Sequence, residues 1–94
     1  MAVFVVTWNL NRERSNYGQA RAAFIKQLEQ YPNVLDPALE TVRWIASSAS
    51  ASEISRDLRT KLDANDRLFV TQLSGGTHQG WLSQATWDWI NANM

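Results

Sequence analysis

Few side chains in this 94-residue sequence have the type and placement to take part in a reaction, and the two best are His78 and Asn9. His78 is the single histidine and lies in Gly75-Gly76-Thr77-His78-Gln79-Gly80, where an imidazole titrating near neutrality could serve as a general acid or base. No carboxylate or serine accompanies it at a diagnostic spacing, so a solvated loop histidine is the simpler reading. The glycines match neither G-x-G-x-x-G nor G-x-x-x-x-G-K-S/T, which leaves a phosphate loop unsupported. With no cysteine and one histidine, disulfides, thiolate zinc sites, iron–sulfur clusters, a multi-histidine metal site and a serine–histidine triad are not expected. No metal or cofactor is expected either. The carboxylate pairs Asp36 with Glu40 and Asp63 with Asp66 read as turn and capping groups.

Binding has more candidates. Arg12, Arg14 and Arg21 lie in and just after a polar loop, beside a predicted helix start whose free N–H groups favour anions. They are the nucleic-acid-binding candidates, although Glu13 dilutes their charge and a solvated loop explains them equally well. Nine Lys plus Arg balance nine Asp plus Glu, so no long-range field marks a generic polyanion binder. Five tryptophans are many for this length, because an exposed indole stacks on a base or anchors an interface. Trp8 and Trp44 fall in predicted strands and read as core or dimer contacts, Trp81 as a clamp of the glycine loop against the body, and Trp87 as the exposed, partner-binding candidate.

The elements that must position these groups follow from pattern. Val3 to Leu10 is β-branched and aromatic with both faces apolar, and predicts a central strand needing cover on both sides. Asn16 and Gln19 have capping spacing ahead of a helix near Tyr17, where Tyr17, Ala20, Phe24, Leu28 and Tyr31 form one stripe ended by Pro32. Between Pro32 and Pro37 only a short edge strand fits. Thr41 to Ala46 predicts a strand; Ser50 and Glu53 form a capping box for a helix carrying Ile54, Leu58 and Leu62. Asp63 to Asp66 is a turn, Arg67 to Leu73 a strand, and Ser83 caps a last helix docking through Leu82, Ala85, Trp89 and Ile90.

The order is that of an α+β, ferredoxin-like βαββαβ domain covering residues 1–94: an antiparallel four-stranded sheet, helices on one face, and an extra C-terminal helix. The other sheet face, bearing either Val3 and Val5 or Phe4 and Val6, is then left for a second copy, and a homodimer is expected. The opening residues do not read as a signal peptide, and the charge-free stretch from Leu68 to Trp87 is too polar to cross a membrane. Without cysteines or glycosylation sequons, a cytoplasmic location is expected.

Val5-Val6-Thr7-Trp8-Asn9-Leu10, Asp63-Ala64-Asn65-Asp66-Arg67-Leu68-Phe69-Val70 and the tail Asp88-Trp89-Ile90-Asn91 resemble the small ferredoxin-like proteins related to the CRISPR-associated adaptation scaffold protein and to virulence-associated protein D. The resemblance implies a homodimeric nucleic-acid-associated scaffold. It also implies that the residue closing the first strand, here Asn9, lies near the dimer axis where metal-dependent relatives carry an aspartate. A neutral amide is a weaker hard-cation ligand than a carboxylate, so a degenerate nuclease relative is expected rather than an active one. The alternatives are a protein-interaction subunit of toxin–antitoxin or phage-related type, using Trp87 and the His78 loop, and a metal-independent ribonuclease using His78.

Overall fold

The computed structural model describes residues 1–13 and 15–94; Arg14, one of the three anion-site candidates, lies outside the described residues. The elements are β1 (Ala2–Asn9), α1 (Tyr17–Leu28), β2 (Asn33–Val34), β3 (Val42–Ser47), α2 (Ala51–Leu58) with a following 3-10 turn (Arg59–Lys61), β4 (Arg67–Gln72) and α3 (Gln84–Asn93). The four strands form one antiparallel sheet in the order β2-β3-β1-β4, the ferredoxin-like arrangement expected from the pattern.

Helices α1 and α2 cover the inner face. Phe4, Val6, Trp8 and Leu10 meet Phe24 and Leu28 of α1 and Ile54 and Leu58 of α2 in one buried cluster. The Trp8 and Phe24 rings pack tilted at 56° with centroids 5.1 Å apart, a geometry that brings a positive ring edge towards a negative face. The Ser50 hydroxyl accepts from Glu53 N at 3.1 Å while the Glu53 carboxylate accepts from Ser50 N, closing the expected capping box. These bonds favour the charged carboxylate and hold Glu53 below its ordinary pKa.

Asn16 behaves differently from its expectation. Its carbonyl accepts from Ala20 N at 2.9 Å, but at φ −107°, ψ 29° its side chain makes no capping bond to α1, since that backbone is not the extended one from which an amide reaches back over the first turn. The flanking prolines shorten β2 to two edge residues.

The largest departure concerns the outer face. It is not left open for a second copy: α3 crosses it, and Val3, Trp44 and Ile90 form a second buried cluster flanked by Val5, Val34, Leu82, Trp87 and Trp89. The seam of α3 is Thr86 and Ile90, one turn apart, whereas Ala85 is exposed and Leu82 and Trp89 only flank the cluster. Polar Thr86 sits in this seam because its hydroxyl is bonded to Ser83 Oγ at 2.7 Å, so it buries no unmet donor. The cover is partial. Thr7 and Val42 are half-buried and Asn9, Arg67, Phe69 and Thr71 are exposed along the rest of that face.

Candidate functional site: a tryptophan-lined cleft

Three segments converge where α3 leaves part of the outer face uncovered. Segment 35–41 runs up to β3, the glycine loop follows β4, and residues 81–83 enter α3. Asp36 joins them. Its carboxylate accepts from Ala38 N at 3.0 Å within its own turn and from Ser83 N at 2.8 Å across 47 residues of chain, and Ser83 is the N-cap of α3. The reading of Asp36 as a turn and capping group holds, but the cap it makes is long-range. The bond from Ser83 is the main cause that holds the Asp36 pKa below the usual carboxylate range, seconded by Ala38.

A carboxylate whose folded pKa is depressed stabilises the fold above its unfolded pKa, about 3.9, and that contribution fades as pH falls through the lower folded value. The docking of α3 is therefore expected to persist through mildly acid solution and to weaken only below about pH 4. Tryptophan emission titrated from pH 6 to 2 should show this step, and Asp36→Asn should lose part of it, Glu53 supplying a remainder. An unchanged acid profile in Asp36→Asn would remove Asp36 as the clamp.

Above this clamp lies a cleft of about 330 Å³ lined by Val5, Leu39, Trp44, Leu73, His78, Trp81, Leu82 and Trp87 among others. Apart from the imidazole, no lining side chain is ionisable. Trp44, 7% exposed, forms its floor from β3. Trp87 forms a wall: it is half-buried, and the His78 ring stacks on it with centroids 6.1 Å apart and 17° between planes. His78 Nδ1 also lies 3.1 Å from the Ser74 carbonyl, and the loop turns through Gly76 at φ 78°, a conformation that a side chain disfavours. Trp81 is the surprise. Expected as a clamp, it is 100% exposed; the chain here is held instead by the Asp36–Ser83 bond two residues further on, which does not need the indole.

The other candidates gather at the opposite end of β1. Asn9 ends that strand beside Arg67 of β4, is exposed, and belongs to the outer-face row that α3 leaves bare. The Arg12 guanidinium lies 5.8 Å from the Tyr17 ring centroid. Arg21 is exposed on α1. Asp66, 7% exposed, ties this end together: its two oxygens accept from Asn11 N at 2.8 Å and Asp63 N at 3.0 Å. Beside it runs a more polar groove of about 630 Å³ that includes Arg56, Arg59 and Arg67. These arginines were not anticipated; the signal in the sequence was their spacing, with Arg56 and Arg59 three apart at the end of α2 and Arg67 just past the turn.

Among the described residues, no three His, Cys, Asp or Glu side chains are grouped to hold a metal ion. Among the described residues, no helix is long and apolar enough to cross a membrane. The chain matches no family model and no curated protein.

Proposed function

We propose that this chain is a protein-interaction module whose outer-face cleft receives a bulky apolar side chain from a partner protein. The observation that carries this reading is Trp81: a wholly exposed indole at the lip of an apolar cleft gains nothing from the folded chain, and tryptophan is the residue type most enriched among interface anchors. The lining selects against charge, and a volume of about 330 Å³ suits one or two large side chains rather than an extended polar ligand. His78 and Trp87 shape the wall, which gives the expected partner-binding role of Trp87 a concrete form.

The test is a displayed peptide library selected on the purified chain. Selected sequences should share an aromatic or large aliphatic anchor. Trp81→Ala should abolish their binding while shifting stability by less than about 0.5 kcal/mol, as for a surface side chain that touches nothing. Binding that survives Trp81→Ala and Trp87→Ala would discard the proposal.

A second reading, a nucleic-acid-associated scaffold or degenerate nuclease relative acting in the cytoplasm as a homodimer, is favoured by the basic end, where Asn9 closes β1 beside Arg67 and the groove arginines lie nearby. It is consistent with the ferredoxin-like strand order that the family resemblance implies. On this reading RNA or DNA affinity is measurable at low salt, falls steeply as salt rises, and drops in Arg12→Ala and in Arg59→Ala. No binding at low salt rejects it. Metal-dependent cleavage appearing in Asn9→Asp would identify a lost ligand, and metal-free RNA cleavage abolished in His78→Ala would instead identify a ribonuclease.

A further inference from the structure

Strand β4 is an outer strand of the sheet. Its sequence, Arg67-Leu68-Phe69-Val70-Thr71-Gln72, contains no proline or lysine, which commonly blunt an exposed edge, and its one charge, Arg67, stands at its first residue. The ladder to β1 fixes which groups are spent. Leu73 N donates to the Val3 carbonyl at 2.8 Å, and the alternation of an antiparallel register then assigns Thr71, Phe69 and Arg67 to the bonds with β1. The N–H and C=O groups of Leu68, Val70 and Gln72 point away from β1, and among the described residues no backbone group of another element reaches them. On the outer face beside this edge Phe69 stands 63% exposed, beyond the reach of α3.

We infer that β4 is a self-pairing edge: a second copy of this chain adds its own β4 antiparallel to it, with Val70 on the two-fold axis, making one continuous eight-stranded sheet. The pairing opposes Val70 to itself and Leu68 to Gln72 of the second copy, closing about six hydrogen bonds from groups that β1 leaves unused. On the outer face Phe69 comes to lie against Thr71 of the second copy, an aromatic–β-branched cross-strand pair. On the inner face α2, which packs beneath β4, continues as a layer alongside its counterpart.

A second copy suits this edge because the register is self-complementary in charge. The stretch from Leu68 to Leu73 carries no charge, and the two-fold sets Arg67 opposite Leu73 rather than opposite another arginine, so the paired strands bring no like charges together. The arrangement replaces face-to-face packing over Val3, which α3 covers, and is independent of what occupies the tryptophan cleft.

Sedimentation and light scattering of the full chain from micromolar to millimolar concentration test the inference. The mass should approach twice 10.7 kDa as concentration rises. Gln72→Pro removes an outward N–H while leaving the β1 ladder intact, and should raise the dimer Kd about tenfold or more. Phe69→Lys, a charge on the exposed face of the edge, should also shift the equilibrium to monomer. Far-UV circular dichroism of both variants should match the parent, and Trp81→Ala should dimerise normally. A monomer at millimolar concentration overturns the inference. So does a dimer indifferent to Gln72→Pro and Phe69→Lys, or one that dissolves in Trp81→Ala alone, which would place the contact at the cleft.

Discussion

Replacing Ile90 by alanine is expected to destabilise the chain by about 2–5 kcal/mol, the range for emptying a fully buried aliphatic site. Ile90 is 1% exposed and is the one α3 side chain wholly buried against Val3 and Trp44. A chain of this length has roughly 5–14 kcal/mol of stability in all, so a substantial share rests on one contact of its final helix. The loss should be local in character. The inner cluster does not include Ile90, so backbone amides of β1 and β3 should keep much of their protection from hydrogen exchange while those of α3 lose theirs. Trp44 would become wet, its emission would move to longer wavelength, and any ligand of the cleft would be lost with the floor and wall. Retained α3 protection together with a loss under about 1 kcal/mol would show that the helix is held by something other than this seam.

Phe24→Ala should cost about 3–5 kcal/mol and should behave in the opposite way. Phe24 is fully buried on α1, packs its ring against Trp8, and belongs to the cluster that α1, α2, β1 and β3 share. Strands β1, β3 and β4 all contribute to that cluster or pack against it, so unfolding should stay cooperative, with far-UV and tryptophan signals falling together at a lower denaturant midpoint. Signals that separated would show that the sheet survives without its inner helices.

The sequence shows the inner half of this architecture well and the outer half poorly, and the residues explain why. β1 declares itself because Val3 to Leu10 alternates between two apolar faces, and α2 does so because Ser50 and Glu53 announce its first turn. In α1 the four-residue spacing of Ala20, Phe24 and Leu28 names the buried stripe correctly. Helix α3 is harder. Its three aromatic and aliphatic side chains, Trp87, Trp89 and Ile90, spread around the axis, and its true seam runs through Thr86, a polar residue made buriable by a hydroxyl partner at Ser83. Pattern alone then cannot say which sheet face the helix covers. The cleft was hidden for a related reason. It depends on Asp36 reaching Ser83 across 47 residues, a contact with no local signature, and without it Trp81 reads as a clamp instead of an exposed lip. His78 and Trp87 were legible as a pair of loop and helix candidates, while the stacking that joins them was not.

The position of β1 between β3 and β4 also constrains how the protein is made. It leaves the ribosome before either of its neighbours, and the second does not finish until Gln72 has been synthesised. Until then a strand apolar on both sides waits with one flank or both unsatisfied, exposed to other nascent chains. Each of its ladders spans tens of residues, which slows closure relative to helical hairpins of the same size. Holdase chaperones that bind short aliphatic segments should accordingly associate with the nascent chain at Val3 to Val6, and should be released when β4 emerges.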